Sequence, residues 1–308
     1  MKIAVTGGAG FIGSNIADAY INEGHQVSII DNLSTGKKDN INPEAKFYEI
    51  DISSPEIIDI FKEEEFDVLN HHAAQIDVRV SVENPMYDAN INILGSLNLF
   101  DACQKTGVDR IVFASSAGTV YGDQQYFPAD EQHPIDPISP YGITKYACEN
   151  YIDYFSRTYG IKKSILRYTN IYGPRQNPFG EAGVVAIFTN RMLAGDKAII
   201  NGDGTFTRDY VYVGDVVRAN LLAIKPDFNG KYNIATGVEH DVNFIFRTLK
   251  ELTGSDIEEV HGPAKKGETP RSVCSYDKIK AEHGWQPKVD FRTGLSLTVE
   301  AFKKKFQS

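Results

Sequence analysis

The sequence predicts an α/β fold: a doubly wound parallel sheet followed by a smaller C-terminal α/β part. Three observations predict it. Short apolar runs alternate with helical patterns up to about residue 170, which is the signature of a parallel sheet covered on both faces. A glycine-rich turn, "VTGGAGFIG", lies between the first apolar run and the first helical pattern. Beyond residue 170 the alternation gives way to loops rich in Gly, Pro and Asn.

In chain order, "KIAVTG", "QVSIIDN", "KFYEID", "DVLNHHAA", "RIVFASS" and "KKSILRY" each read as a buried strand closed by a polar or glycine break. Helical patterns begin near Gly13, near Pro55, near Tyr87 ("YDANINILGSLNLFDACQKTG") and at Pro140. Ser54 and Pro55 make a helix start and Gly107 a stop. Further on come a loop ("NIYGPRQNPFGEAG"), a helix ("VVAIFTNRMLAG") and a turn-rich ribbon ("NGDGTFTRDYVYVGD"). Asp215 is expected to cap the helix "VVRANLLAI", and "KYNIATG" reads as one more buried strand. The expected division is residues 1–169 with a return segment at about 211–237 for the first domain, and 170–210 with 238–308 for the second.

Composition narrows the class. With 308 residues, 42% hydrophobic and 24% charged, the chain can bury a large core. A net charge of −9 argues against nucleic acid as a partner. Cys103, Cys148 and Cys274 are far apart and form no CxxC, so neither a disulfide framework nor a metal site is expected, and a reducing cytoplasm fits. No apolar run has the length of a membrane span, and the N-terminal stretch lacks a signal peptide's continuous apolar core.

The glycine turn points to a dinucleotide. Gly7, Gly10 and Gly13, with Phe11 and Ile12 between them, stand where a Rossmann-like domain brings its backbone against a pyrophosphate and offers free helix N–H groups. Asp31 ends the second strand, where a carboxylate accepts hydrogen bonds from ribose hydroxyls and repels a 2′-phosphate. NAD is therefore expected over NADP, although Lys37 and Lys38 follow closely. Asp51 ends the third strand and has two readings, a contact to the adenine edge or a turn-forming Asp.

"SPYGITKYACENY" sets Tyr141 and Lys145 four residues apart at a helix start, hence on one face. Such a pair is often an ordinary surface contact. Ser115 and Ser116 at the end of "RIVFASS" change that reading, because strand C-termini form the ligand crevice of such sheets. A phenol is a poor base near neutral pH. A nearby ammonium and an oxidised nicotinamide favour the phenolate, and a serine hydroxyl can share the proton. This is equipment for taking a hydroxyl proton while hydride leaves the same carbon.

With these residues in place, the sequence resembles the extended short-chain dehydrogenase/reductase family, and within it the UDP-glucose 4-epimerases. The resemblance spans nearly the whole chain and rests on "TGGAGFIG", "DNLSTG", "HHAAQ", "SSAGTVYG", "PYGITK", "RYTNIYGPRQNP", "GDGTFTRDYVYVGDVV" and "GWQPKVDFRTGL". It implies Tyr141 as base, Lys145 on the nicotinamide ribose and Ser116 as hydroxyl partner, with Ser115 and Thr119 in reserve. It implies Asp31, Asn32, Asp51 and Ile52 at the adenosine end of NAD, Ala73, Ala74 and Gln75 along its middle, and Tyr168 near the nicotinamide. Asn170 and Arg208 match positions that hold the nucleotide sugar, Arg208 by its diphosphate. Asn92 matches the edge of the site, or is structural.

The chain departs from the family at two places. Relatives carry "SSSATVYG" where this chain has Ala117 and an additional Gly118, which brings Ser116 into register. "KKGETPRS" replaces the usual Arg-Pro-Gly opening, so Lys265, Lys266 or Arg271 is expected to assist at the diphosphate. Dehydratases of the family carry an Asp-Glu pair, and decarboxylases a Glu, in the stretch matching Ala117–Thr119. Ala, Gly and Thr stand there in this chain, so the resemblance implies 4-epimerisation of UDP-glucose and UDP-galactose. Ser272 matches the position beside the hexose; a small residue there leaves room for an N-acetyl group. A UDP-glucuronate 4-epimerase is the alternative enzyme, and a non-catalytic NAD sensor the alternative of another class. A homodimer is implied, formed by two helices whose Leu94, Leu97, Tyr151, Tyr154 and Phe155 are interface or core.

Overall fold

The computed structural model describes residues 1–179, 183–264 and 269–307. Two compact units divide the chain. One comprises residues 1–122, 135–168 and 217–232, the other 123–134, 169–216 and 233–308.

The first unit is built on the predicted sheet. Its strands are β1 (Lys2–Thr6), β2 (Gln26–Asp31), β3 (Lys46–Glu49), β4 (Val68–His71), β5 (Arg110–Ser116), β6 (Lys162–Tyr168) and β7 (Gly230–Ile234). They lie in the order β7-β6-β5-β4-β1-β2-β3, and each pairing from β6 to β3 is parallel. This is the doubly wound arrangement: the chain moves outward from β1 in one direction, then returns and moves outward in the other. A parallel sheet is covered on both faces, so its strands are apolar throughout; β4 and nearly all of β5 are buried. One face packs against α2 (Ile57–Glu64), α5 (Ser96–Thr106) and α7 (Pro140–Tyr159) through Phe61, Leu99, Phe100 and Ile152. On α1 (Phe11–Asn22), Ile16, Ala17 and Tyr20 are buried.

The long pattern from Tyr87 is not one helix. After α3 (Val78–Glu83), α4 (Pro85–Ala89) runs into a π-helical segment, Asn90–Gly95, before α5. The widened turn adds a residue that a 3.6-residue periodicity does not register, and such insertions recur at functional sites. The stop at Gly107 is there, in the left-handed region with φ 80°. Asp215 is not a cap. Its helix begins at Val213, and the carboxylate instead accepts the N–H groups of Lys288 and Val289 at 3.0 and 3.1 Å.

In the second unit the strand Thr207–Tyr212 is the hub. It pairs with Asn170–Tyr172, Glu239–Asp241 and Arg271–Ser272. The helices Val184–Ala194, Val242–Thr253 and Phe291–Gln307 contribute Phe188, Phe246 and Leu295 to an adjoining core. Trp285 is buried with its indole N–H on the Asp215 carbonyl at 3.1 Å.

Candidate active site

The expected cofactor residues gather at the C-terminal ends of β1, β2 and β4. Gly7 has φ +68°, and a Cβ on it would stand 2.7 Å from the Ala73 nitrogen; a Cβ on Gly13 would stand 2.3 Å from the Gly7 oxygen. The backbone at His72 and Ala73, which leads into Ala74 and Gln75, therefore runs directly against the glycine turn, and only glycine lets it do so. No side chain caps α1 and no acid stands in its first turn. The N–H groups of Phe11, Ile12 and Gly13 are thus left for a ligand, and a pyrophosphate fits them.

Asp31 is buried, accepts N–H from Ala9 at 3.0 Å and Leu33 at 2.8 Å, and retains acceptor capacity for ribose hydroxyls. Burial raises its pKa, and the two N–H donors oppose that. Asp51 closes a turn by accepting Ser53 N–H at 2.8 Å, and holds the Asn32 amide at 2.6 Å. Ile52 puts its side chain into the core. Tyr168 lies beside Ser116 in the β5–β6 register. Its hydroxyl meets His72 Nε2 at 3.0 Å and the Asn220 amide at 2.9 Å. Those partners hold the ring at the end of β6.

The three residues expected to react, Ser116, Tyr141 and Lys145, stand one strand further along. Ser139 caps α7 through the Gly142 N–H, and Pro140 occupies its first turn. A Cβ on Gly142 would lie 2.7 Å from the Thr119 oxygen. Glycine there brings the first turn of α7 onto α6 (Ala117–Val120), the turn that follows Ser116. Lys145 is 4% exposed, its ammonium donates to the Ala114 carbonyl at 3.0 Å, and it lies 5.8 Å from the centre of the Tyr141 ring. Burial lowers the Lys145 pKa to about 8.

The two serines differ. Successive strand residues face opposite sides. Ser115 donates its hydroxyl to the buried Glu149 at 2.6 Å, whereas the Ser116 hydroxyl meets no partner among the described residues. Of the reserves, Ser115 is committed to Glu149, while the buried Thr119 hydroxyl is unpartnered.

In the second unit Asn170 donates to the Asp209 carbonyl at 3.2 Å, and Arg208 pairs in register with Ser272. Among the described residues, the Arg208 guanidinium reaches the carbonyls of Thr207 and Pro270, at 2.8 and 3.5 Å. It is not paired with Asp209, whose buried carboxylate is taken by Thr236 and Gly237. Arg271 pairs with Glu239 at 2.8 Å and lies 4.0 Å over the Phe127 ring. Lys265 and Lys266 lie outside the described residues.

A family model for the NAD dependent epimerase/dehydratase family matches residues 3–235. The chain belongs to that family. Family membership accounts for the glycine cradle: NAD is the cofactor these residues fit. A putative UDP-glucose 4-epimerase of Methanocaldococcus jannaschii is 48% identical over 98% of this chain and 98% of its own length. Among solved structures, a Thermotoga maritima UDP-glucose 4-epimerase with UDP-glucose superposes with a TM-score of 0.97 at 50% identity, covering 99% of this chain and 100% of its own. The Thermus thermophilus enzyme in complex with NAD gives 0.93 at 42% identity, covering 98% of this chain and 99% of its own.

Sequence reasoning missed the polar groups behind this family site. Asp88, Asn92, Gln75 and Thr144 form one buried network, and Glu149, Arg167 and Tyr121 another. Asn92 and Gln75 were singled out by resemblance. Asp88, Thr144, Glu149, Arg167 and Tyr121 were not: Thr144 lies 56 residues from Asp88, and Arg167 lies 18 from Glu149 and 46 from Tyr121.

Proposed function

We propose that the protein is an NAD-dependent UDP-hexose 4-epimerase that interconverts UDP-glucose and UDP-galactose. The observation that carries this is the pairing of Tyr141 with a buried Lys145 beside an unpartnered Ser116 hydroxyl, with no acid in Ala117–Thr119. Tyr141 removes the proton of the sugar 4-hydroxyl and later returns it. The Lys145 ammonium favours the phenolate, and Ser116 donates a hydrogen bond to the same oxygen. NAD, when bound, takes hydride from C4 and gives it back. The cradle at Gly7–Gly13 and Asp31 would hold it. Arg208 and Asn170 grip the nucleotide, leaving the hexose free to present its other face. No carboxylate competes for Arg208 among the described residues. Arg271 would have to leave Glu239 to assist.

Incubation with UDP-galactose and no added reductant is expected to yield UDP-glucose without net change in NAD. Net NAD reduction, or no product, would overturn the proposal. The small, buried Ser272 supports acceptance of N-acetylated UDP-hexoses. Ser272→Tyr is then expected to lose UDP-N-acetylglucosamine turnover while keeping UDP-galactose turnover; equal rates would refute the role. A homodimer is part of this reading. Leu94, Tyr151 and Tyr154 are exposed apolar or aromatic residues on the π segment and α7, whereas Phe155 is core and Leu97 packs against it. The three buried free cysteines suit a reducing cytoplasm.

A further inference from the structure

Asp88 is fully buried at the end of α4, and three side chains converge on it. The Thr144 hydroxyl donates to one carboxylate oxygen at 2.9 Å; the amides of Gln75 and Asn92 donate to the other at 2.8 and 3.0 Å. Asn92 and Gln75 also exchange backbone hydrogen bonds, with the Asn92 amide on the Gln75 carbonyl and the Gln75 N–H on the Asn92 side chain, both at 2.9 Å. One carboxylate therefore joins the segment after β4, the π segment and the first turn of α7.

Hydrogen bonding alone does not explain an acid at this position. An asparagine could accept from Gln75 and Asn92 and donate to Thr144, whose hydroxyl would turn to the Tyr141 carbonyl 2.9 Å away. An ionised carboxylate costs more to desolvate than an amide, and it is retained where it faces a charge. Lys145 adjoins Thr144 and is buried; among the described residues its ammonium hydrogen-bonds to a neutral carbonyl and otherwise faces the Phe113 and Tyr141 rings. The other titratable groups around the ammonium are Tyr141, Cys148, His71 and His72. Burial keeps both imidazoles neutral and pushes the Cys148 thiol up to about 11. Asp88 is the acid among the groups acting on Lys145, and it favours the charged form against burial.

We propose that Asp88 is a positioning residue for the reacting pair: through Thr144 it fixes the first turn of α7, and its carboxylate is the counter-charge of the Lys145 ammonium. This rests on the reading of Tyr141 and Lys145 as the reacting pair.

The test measures kcat and KM for UDP-galactose over a pH series, with bound NAD and thermal midpoint, in the wild type, Asp88→Asn, Asp88→Ala, Thr144→Val and Tyr141→Phe. Asp88→Asn is expected to move the alkaline limb of kcat roughly one pH unit to the acid side. Asp88→Ala is expected to lower kcat roughly 100-fold, with KM little changed. Thr144→Val should lose about tenfold in kcat, and Thr144→Ser should restore it. An unmoved alkaline limb in Asp88→Asn overturns the proposal. So does a loss in Thr144→Val that Thr144→Ser fails to restore. Both variants report even where Asp88→Ala does not fold. An active Tyr141→Phe would bring down the reading of the site itself. An inactive Tyr141→Phe with an unmoved limb in Asp88→Asn brings down this inference alone.

Discussion

Two buried cations, Lys145 on α7 and Arg167 paired with its Glu149, are treated by the structure in opposite ways. Arg167 forms a two-pronged pair with Glu149 at 2.9 and 2.7 Å and takes the Tyr121 hydroxyl at 3.0 Å. Lys231 and Ser115 complete the carboxylate's shell, so Glu149 stays ionised although it is fully buried. Lys145 touches a backbone carbonyl, and burial leaves its pKa near 8. A cation saturated with partners holds structure. One left short of partners is poised to change charge, or to influence a neighbour that does.

The largest effect is expected at Tyr141. Removing its hydroxyl with Phe should lower kcat roughly 10²–10⁴-fold, with thermal stability little changed. If the variant keeps more than about a tenth of the wild-type rate, Lys145 has no base to tune. The same comparison gives a pH sign. A lysine with a depressed native pKa is protonated below about 8 and neutral above it. kcat/KM should therefore fall as pH rises through that value, and Lys145→Met should lack this limb. The stability sign runs the other way. Between the native value near 8 and the unfolded value near 10.5, the unfolded chain binds the additional proton, so Lys145 alone makes stability rise with pH there.

Arg167 should respond in stability instead. Arg167→Met leaves Glu149 in the interior with, among the described residues, Lys231 as its remaining counter-charge. The expected loss is about 3–5 kcal/mol, read as a lower urea midpoint. Pairing it with Glu149→Leu should recover much of that loss, since a buried ion pair can be replaced by apolar packing. A single variant that unfolds like the wild type would remove the distinction between the two cations.

What the sequence showed of these two cations was uneven. Strands and the α7 start were legible because each rests on local signals: apolar runs, Ser139-Pro140, Gly107. The glycine turn and Tyr141–Lys145 were legible for the same reason, since a four-residue spacing is itself the geometry. Glu149, Arg167 and Asp88 were not, because Arg167 meets Glu149 across 18 residues of sequence and Asp88 meets Thr144 across 56. The π segment was read as plain helix, for one inserted residue leaves the apolar pattern nearly intact. Asp215 was misread because a carboxylate near a helix start looks like a cap, whereas its donors come from residues 73 and 74 positions downstream.

Arg271 provides the smallest effect and completes the series. Its guanidinium is also paired with a carboxylate, Glu239, at 2.8 Å, but it is roughly half exposed and lies over Phe127. Water screens such a pair and already solvates both charges, so the pair contributes little to stability. Arg271→Ala should therefore shift the urea midpoint far less than Arg167→Met does. Its effect on KM for UDP-galactose then reports whether this arginine leaves Glu239 for the diphosphate. A KM unchanged beside a clear rise for Arg208→Ala would assign the diphosphate to Arg208, which meets no acid among the described residues. A tenfold rise, worth about 1.4 kcal/mol, would mean that Arg271 exchanges Glu239 for the substrate, and that exposure rather than pairing decides which cation is free to bind.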